Sequence, residues 1–332
     1  MCATWSRILD TVTRRNPITL FRLIGERIPV LRSSDLLTED HPDRPYPVVQ
    51  RVRTSALIRA LVFLAVFFVA MILWTSLDFM VVGSVSANDA GYALAQMASV
   101  IVAYVVLTFA MEARVWPYEI EPRRLLGLVK GMLLGAVVIA ACVGILALAG
   151  VYSVTGVNSD YSPWLDLLLL GVAAGVTEEI QMRGAVFRLT EEFLGTWGAV
   201  AVSALAFGLM HLSNANATLW GAIAIALEAG ILLAAVYVLT RSLWWCIGVH
   251  FAWNIVEGPV FGSIVSASGT QNSWLIGSWT GPEILTGGQF GLEASIVPVI
   301  LSGGLGVALL LYAWRKGLMV APMWTRKKKL TS

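Results

Sequence analysis

Five ionisable side chains lie inside strongly apolar stretches of the chain: Glu178, Glu179, His211, Glu228 and His250. A charged group at the centre of a lipid bilayer costs about 3 kcal/mol or more, so such residues are expected to face the interior of a helix bundle and to serve a function. Asn254 follows His250 by one helical turn, on the same face. A carboxylate, an imidazole and an amide can together activate water and stabilise an oxyanion.

The composition is that of a membrane protein. Of the 332 residues, 57% are hydrophobic and 13% are charged, against about 25% charged in soluble domains. Three widely spaced cysteines, Cys2, Cys142 and Cys246, exclude a thiolate metal cluster and argue against a disulfide framework. No nucleic-acid partner is expected.

Apolar runs predict an all-α polytopic membrane protein with about eight transmembrane helices. Each run has roughly the length that a helix needs to cross the hydrocarbon core. The predicted spans are 57–77, 91–111, 131–153, 164–183, 196–213, 217–240, 242–257 and 294–314.

The distribution of basic residues predicts the orientation. All 23 Lys and Arg lie before or at the entrance of the first span, or at or after the ends of the second, fourth, sixth and eighth. Because basic residues are retained on the cytoplasmic side, both termini are predicted to be cytoplasmic. The stretch 18–28 could form an interfacial helix on anionic lipid, or the basic N-terminal segment could be a poorly ordered tail.

A helical hairpin would position the chemistry. Glu178 and His211 lie almost equally far before and after Gly195, so a turn there would place both at the same height. His250 lies roughly 12 Å into the next predicted helix from its cytoplasmic start. The expected result is a shared pocket open to the cytoplasm.

Each polar residue also has a structural interpretation. Glu179 and Arg183 are spaced to form an intrahelical ion pair. Glu228 could be structural or part of a relay, and Glu257 is expected to end its helix near water. Glycines at 127, 131 and 135 form a ridge of small residues where helices can pack closely.

Three short motifs occur in order along the predicted spans. They are EExxxR at Glu178, Glu179 and Arg183, FxxxH at Phe207 and His211, and HxxxN at His250 and Asn254. Together they resemble the CPBP (Abi) intramembrane protease family, which includes the type II CAAX prenyl endopeptidases. The resemblance covers about residues 160–314, including a glycine-rich stretch at 285–295.

The resemblance implies a role for each matching residue. Glu178 and His211 would activate the attacking water, and His250 and Asn254 would bind the oxyanion. It does not imply a prenylated substrate, since prokaryotic members share the motifs without it.

Arg183 would hold the glutamates in place, with Glu179 in a supporting role. Metal dependence stays open: if a metal is used, zinc is the candidate, with Glu178, His211 and His250 as its ligands. The HExxH pattern of many zinc proteases does not occur.

The leading hypothesis is an intramembrane endopeptidase that cleaves a peptide bond near the cytoplasmic face. Its partners would be a peptide or membrane-protein substrate and the lipid bilayer, and its location a bacterial plasma membrane. The alternatives are a non-catalytic scaffold or bacteriocin-immunity-type protein and, third, a proton-coupled transporter. The predicted regions are a basic N-terminal segment (1–56), N-terminal transmembrane helices (57–153), a catalytic membrane core (154–314) and a basic tail (315–332).

Overall fold

The computed structural model describes residues 55–82, 90–112, 114, 116–268 and 272–326. The interfacial helix predicted at 18–28 and the last basic residues of the tail lie outside this part of the chain. So does His41, the one histidine outside the predicted spans.

Helices dominate the described residues, and they follow the apolar runs of the sequence. The membrane helices are α1 (Ala56–Val82), α2 (Ala90–Val105, extended by a π-helix to Met111), α3 (Leu126–Leu148), α4 (Trp164–Ser213), α5 (Leu219–Thr240), α6 (Leu243–Ile255, extended by a π-helix over Val256–Val260) and α8 (Ile296–Arg315). Two short helices, α7 (Glu283–Thr286) and α9 (Met323–Arg326), flank α8.

Within the described residues, six helical segments are long and apolar enough to cross a membrane. The predicted all-α membrane class is confirmed, and the number of eight spans is not. Two physical differences explain the lower number. The fourth and fifth predicted spans form the single segment α4. The helix α6 carries His250, Asn254 and three tryptophans, which lower its hydropathy.

The segment α4 is a hairpin with its turn at Gly195. This glycine adopts φ 75°, a left-handed conformation that side chains disfavour. A Cβ atom there would lie 2.6 Å from the carbonyl oxygen of Val320. The next residue, Thr196, donates its backbone N–H to that carbonyl and accepts the N–H of Val320 on its hydroxyl. The C-terminal segment therefore clamps the hairpin turn.

The glycine ridge of α3 sets the position of α6. A Cβ atom on Gly131 would lie 2.2 Å from the carbonyl oxygen of Trp245, and one on Gly135 would lie 2.4 Å from that of Val249. Only glycine permits this backbone contact, so the ridge fixes the height and rotation of the helix that carries His250.

Two strands lie outside the apolar helices, at the end of the bundle where α3 finishes. β1 (Tyr152–Val157) and β2 (Leu275–Trp279) pair antiparallel, with Tyr152 opposite Trp279. They tie the connection after α6 to the connection after α3.

Paired charges fill the opposite end of the bundle. Glu112 accepts hydrogen bonds from Arg59 at 3.0 Å and from Arg188 at 2.7 Å, and thereby links α1, α2 and α4. Beside it, Glu119 binds Arg114 and accepts the hydroxyl of Tyr104. We call these six residues the paired cluster.

Candidate active site

The hairpin brings the first two motifs together. Oε2 of Glu178, on the first arm of α4, lies 3.7 Å from Nε2 of His211 at the end of the second arm. Oε2 of Glu178 also lies 3.9 Å from Nε2 of His250 on α6. Three separated stretches of sequence therefore meet at one carboxylate oxygen, as the hairpin model requires.

His211 has a defined orientation. Its Nδ1 lies 2.7 Å from the carbonyl oxygen of Phe207, one turn earlier. Since a carbonyl oxygen only accepts, Nδ1 carries a proton, and in its neutral form the ring presents the lone pair of Nε2 to Glu178. Both facing atoms are then acceptors, so a donor is needed between them.

Glu179 and Arg183 form a support beneath the site. Arg183 donates to Oε1 of Glu179 at 2.9 Å, which is the ion pair that the spacing predicted. The same Oε1 lies 2.9 Å from Nδ1 of His250. Arg183 also donates to the carbonyl of Gly230 and stacks on the ring of Phe207. Glu179 thus orients His250, and Arg183 holds Glu179 rather than both glutamates.

Asn254 connects α6 to the start of α4. Its amide nitrogen donates to the carbonyl oxygen of Leu170 at 2.9 Å. This carbonyl lies in a π-helical stretch, Leu167–Ala173, where the helix repeat is widened. The hydrogen bond leaves the second N–H of the amide free to bind a ligand.

The side chains of Glu178, His211, His250 and Asn254 line a cavity of about 250 Å³. The side chain of Glu178 is 17% exposed, and its Oε2 has no hydrogen-bond partner within the described residues. Arg183 and Glu179 are fully buried. The cavity is lined by Ala93, Gln96, Leu169, Leu170, Ala173, Ala174, Thr177, Glu178, Gln181, Met210, His211, Ser213, Asn214, His250, Asn254, Val265, Ser266 and Ser268.

The cavity lies at the end of the bundle opposite the paired cluster. Gln96 is near the start of α2, Leu170 near the start of α4, and Ser268 in the connection after α6. The sequence predicted a pocket open to the cytoplasm, that is, to the end with the basic residues. The lining comes instead from the other end of the bundle, and it includes the loop around Ser266, which the sequence did not predict.

Residues 160–256 match the family described as type II CAAX prenyl endopeptidase Rce1-like. This segment is similar to the Rce1-like endopeptidases. The resemblance drawn from the three motifs is thereby confirmed. The chain matches no curated protein.

The Rce1-like segment contains all six residues selected from the sequence: Glu178, Glu179, Arg183, His211, His250 and Asn254. It ends before the glycine-rich stretch at 285–295 and excludes the N-terminal third of the chain. The match and the apolar helices together identify a multi-pass membrane protein related to a family of endopeptidases.

The three conditional metal ligands do not fit a zinc ion in this arrangement. Tetrahedral ligands at 2.0–2.1 Å from zinc are roughly 3.4 Å apart. Oε2 of Glu178 lies 3.7 and 3.9 Å from the two Nε2 atoms. Among the described residues, no group of three or more His, Cys, Asp or Glu is arranged to hold a metal ion.

The loop around Ser266 was missed by the sequence reasoning. Ser266 and Ala267 both have positive φ, at 49° and 62°. Glu293 accepts the backbone N–H and the hydroxyl of Ser266, and Asn214 donates to its carbonyl. Burial raises the pKa of Glu293, although the hydrogen bonds from the hydroxyl and the backbone N–H of Ser266 lower it in part. Glu293 lies in the glycine-rich stretch already noted at 285–295, which was the available signal.

Two other carboxylates lie in the interior. Glu257 is fully buried and accepts the hydroxyl of Ser263, so the prediction that it ends its helix near water is wrong. The π-helix over Val256–Val260 continues α6 and keeps this residue inside. Glu228 is fully buried on α5, and neither of its oxygens has a hydrogen-bond partner within the described residues.

Proposed function

We propose that this protein is an intramembrane endopeptidase that hydrolyses a peptide bond with a water molecule activated by Glu178 and His211. One observation carries the proposal: two acceptor atoms, Oε2 of Glu178 and Nε2 of His211, face each other at 3.7 Å inside a cavity. They are too far apart to bond directly. A water molecule that donates one hydrogen to each fits this separation.

The hydrolysis follows from that arrangement. With both hydrogens held, the water oxygen points a lone pair at the substrate carbonyl carbon. Its attack forms the C–O bond while one proton passes to the Glu178–His211 pair. The pair then returns this proton to the amide nitrogen as the C–N bond breaks, which leaves a carboxylic acid and an amine.

His250 and Asn254 are the candidates for stabilising the oxyanion. The free N–H of the Asn254 amide is one donor. The other is Nε2 of His250, which donates when the ring carries both protons while Nδ1–H is donated to the Glu179 carboxylate. Donors fixed before the reaction stabilise developing charge without reorganisation.

The test is cleavage of a peptide library by purified protein in lipid nanodiscs. Glu178→Gln and His211→Gln should each lower the rate by about 10²–10⁴-fold. Glu228→Gln is the matched control, because it makes the same change at a fully buried carboxylate that does not line the cavity. Cleavage at the wild-type rate by Glu178→Gln contradicts the proposal, and equal loss in the control assigns the effect to folding.

Metal dependence is tested on the same preparation. Since the ligand set does not fit zinc, treatment with a chelator followed by removal of the chelator should leave cleavage unchanged. Elemental analysis should find less than one equivalent of transition metal per chain. One tightly bound equivalent, with activity lost on its removal, would mean that the three side chains draw together around an ion.

A further inference from the structure

The cavity belongs to the end of the bundle that has no basic residues. Three connections described by the structure lie at this end: 149–163, 214–218 and, apart from 269–271, 261–295. The sequence places no Lys or Arg in any of them. Lining residues from the last two connections, Asn214 and Ser268, form part of the cavity wall.

The opposite direction is closed by packed side chains. Directly beneath the site lie Arg183 and Glu179, both fully buried, and the buried ring of Phe207. Beyond them lies the paired cluster, where Glu112 binds Arg59 and Arg188. A peptide reaching Glu178 from the basic end would have to displace these contacts.

We propose that the cavity opens to the extracytoplasmic side of the membrane and takes its substrate, a peptide segment, from that side. That the cavity binds a substrate rests on the proposed function. The orientation rests on the distribution of Lys and Arg. It replaces the cytoplasmic opening predicted from the sequence. Exported peptides and the outer segments of membrane proteins are the class of substrate that reaches this position.

The lining also limits the chemistry of the segment that binds. Besides the catalytic groups, it offers neutral polar side chains: Gln96, Thr177, Gln181, Ser213, Asn214, Ser266 and Ser268. The described residues of the lining include no Lys or Arg that could pair with an acidic side chain, and Glu178 would repel one. The site therefore favours neutral or basic residues around the cleaved bond.

Thiol labelling tests the orientation without requiring activity. The three native cysteines are first replaced, and single reporters are introduced as Ser268→Cys at the cavity and Lys316→Cys at the basic end. Both positions are exposed. A membrane-impermeant maleimide is applied to sealed right-side-out vesicles and to inverted vesicles, with labelling in detergent as the measure of full reactivity.

The expected result is opposite labelling of the two reporters. Ser268→Cys should react at least tenfold faster in right-side-out vesicles than in inverted ones, and Lys316→Cys should show the reverse. Labelling of Ser268→Cys only from the cytoplasmic face overturns the proposal. So does labelling of both reporters from one face.

A cleavage experiment separates this inference from the proposed function. A neutral peptide and its variant with Asp next to the cleaved bond are added outside sealed right-side-out vesicles. We expect the neutral peptide to be cleaved without opening the vesicles, and the Asp variant about tenfold more slowly. Outward labelling of Ser268→Cys without cleavage of any peptide in nanodiscs upholds the orientation and contradicts the endopeptidase. Cleavage only after the vesicles are opened contradicts the orientation and upholds the endopeptidase.

Discussion

Two groups of buried charge occupy opposite ends of one helix bundle, and they are built differently. In the paired cluster, the carboxylate of Glu112 is bound by two guanidinium groups, and Glu119 is bound by Arg114 and Tyr104. In the candidate active site, the partly exposed Glu178 faces two imidazoles beyond direct hydrogen-bond range. Charges that pair with one another hold helices together, whereas a carboxylate that faces two imidazoles in a cavity, without a direct hydrogen bond to either, is available for chemistry.

The two residues beneath the site share features of the paired cluster and of the candidate active site. Arg183 and Glu179 are paired like a structural cluster, yet Glu179 also contacts His250. Substituting one residue in each region should therefore separate loss of catalysis, loss of stability and loss of orientation.

The largest effect is expected for Glu178→Gln. Removing the base should lower kcat by about 10²–10⁴-fold. The unfolding midpoint should stay the same or rise, because Oε2 of Glu178 has no hydrogen-bond partner within the described residues. Activity and thermal unfolding are measured on the same preparation. A large fall in the midpoint would place Glu178 among the structural charges and remove the contrast.

Glu112→Gln should give the converse result. Breaking a buried ion pair by removing one partner costs about 3–5 kcal/mol, because Arg59 and Arg188 keep their charge in the interior. Denaturant titration should show this loss, while kcat per folded molecule should be unchanged. A loss of kcat with normal stability would show that the cluster takes part in the reaction.

Arg183→Lys should have an intermediate effect. Lysine keeps the charge but cannot bind Glu179, bind the Gly230 carbonyl and stack on Phe207 at once. As a positioning residue, Arg183 should affect kcat by about 10–100-fold with little change in KM. Arg183→Gln, which removes the charge, should be worse than Arg183→Lys. Equal losses in the two variants would mean that only the shape of the side chain matters.

The smallest effect is the pH dependence of the paired cluster. Burial alone would raise the pKa of Glu119, but the hydrogen bond from Arg114 and the charges of Arg188 and Arg114 lower the pKa to about 2. The folded pKa is therefore below the unfolded one. The stabilisation is full above about pH 5 and is lost as pH falls from the unfolded pKa, about 4.3, towards the folded value.

The unfolding midpoint should fall over that pH range by a few degrees more in the wild type than in Glu119→Gln, which cannot titrate at this position. Identical slopes between pH 5 and 2 in the two proteins would show that the ion pairs of Glu119 do not stabilise the fold.

The sequence was most informative where the membrane environment restricts which residue types can occur. Charged groups are rare in lipid, so Glu178, His211 and His250 could be selected without coordinates. The ridge at 127, 131 and 135 likewise predicted close packing, because small residues at helical spacing have few other uses in a membrane. Neither inference needed long-range contacts.

Other features depend on contacts that spacing does not encode. The positive φ of Ser266, its bonds to Glu293 and the buried position of Glu257 arise from loops that fold back on the bundle. The end of the bundle at which the cavity lies was not predicted for the same reason. The spacing around Gly195 places Glu178 and His211 at the same height, and the loop contacts decide which end of the bundle lines the cavity around them.

The clamp on the hairpin turn has a consequence for biosynthesis. Thr196 and Val320 are 124 positions apart, so their hydrogen bonds cannot form until almost the whole chain has left the ribosome. At about 5–20 residues per second, this delay lasts at least several seconds. During that interval the two arms of the hairpin, which carry Glu178 and His211, lack the hydrogen bonds that hold their turn in place. A nascent chain should therefore complete its active site only at the end of synthesis.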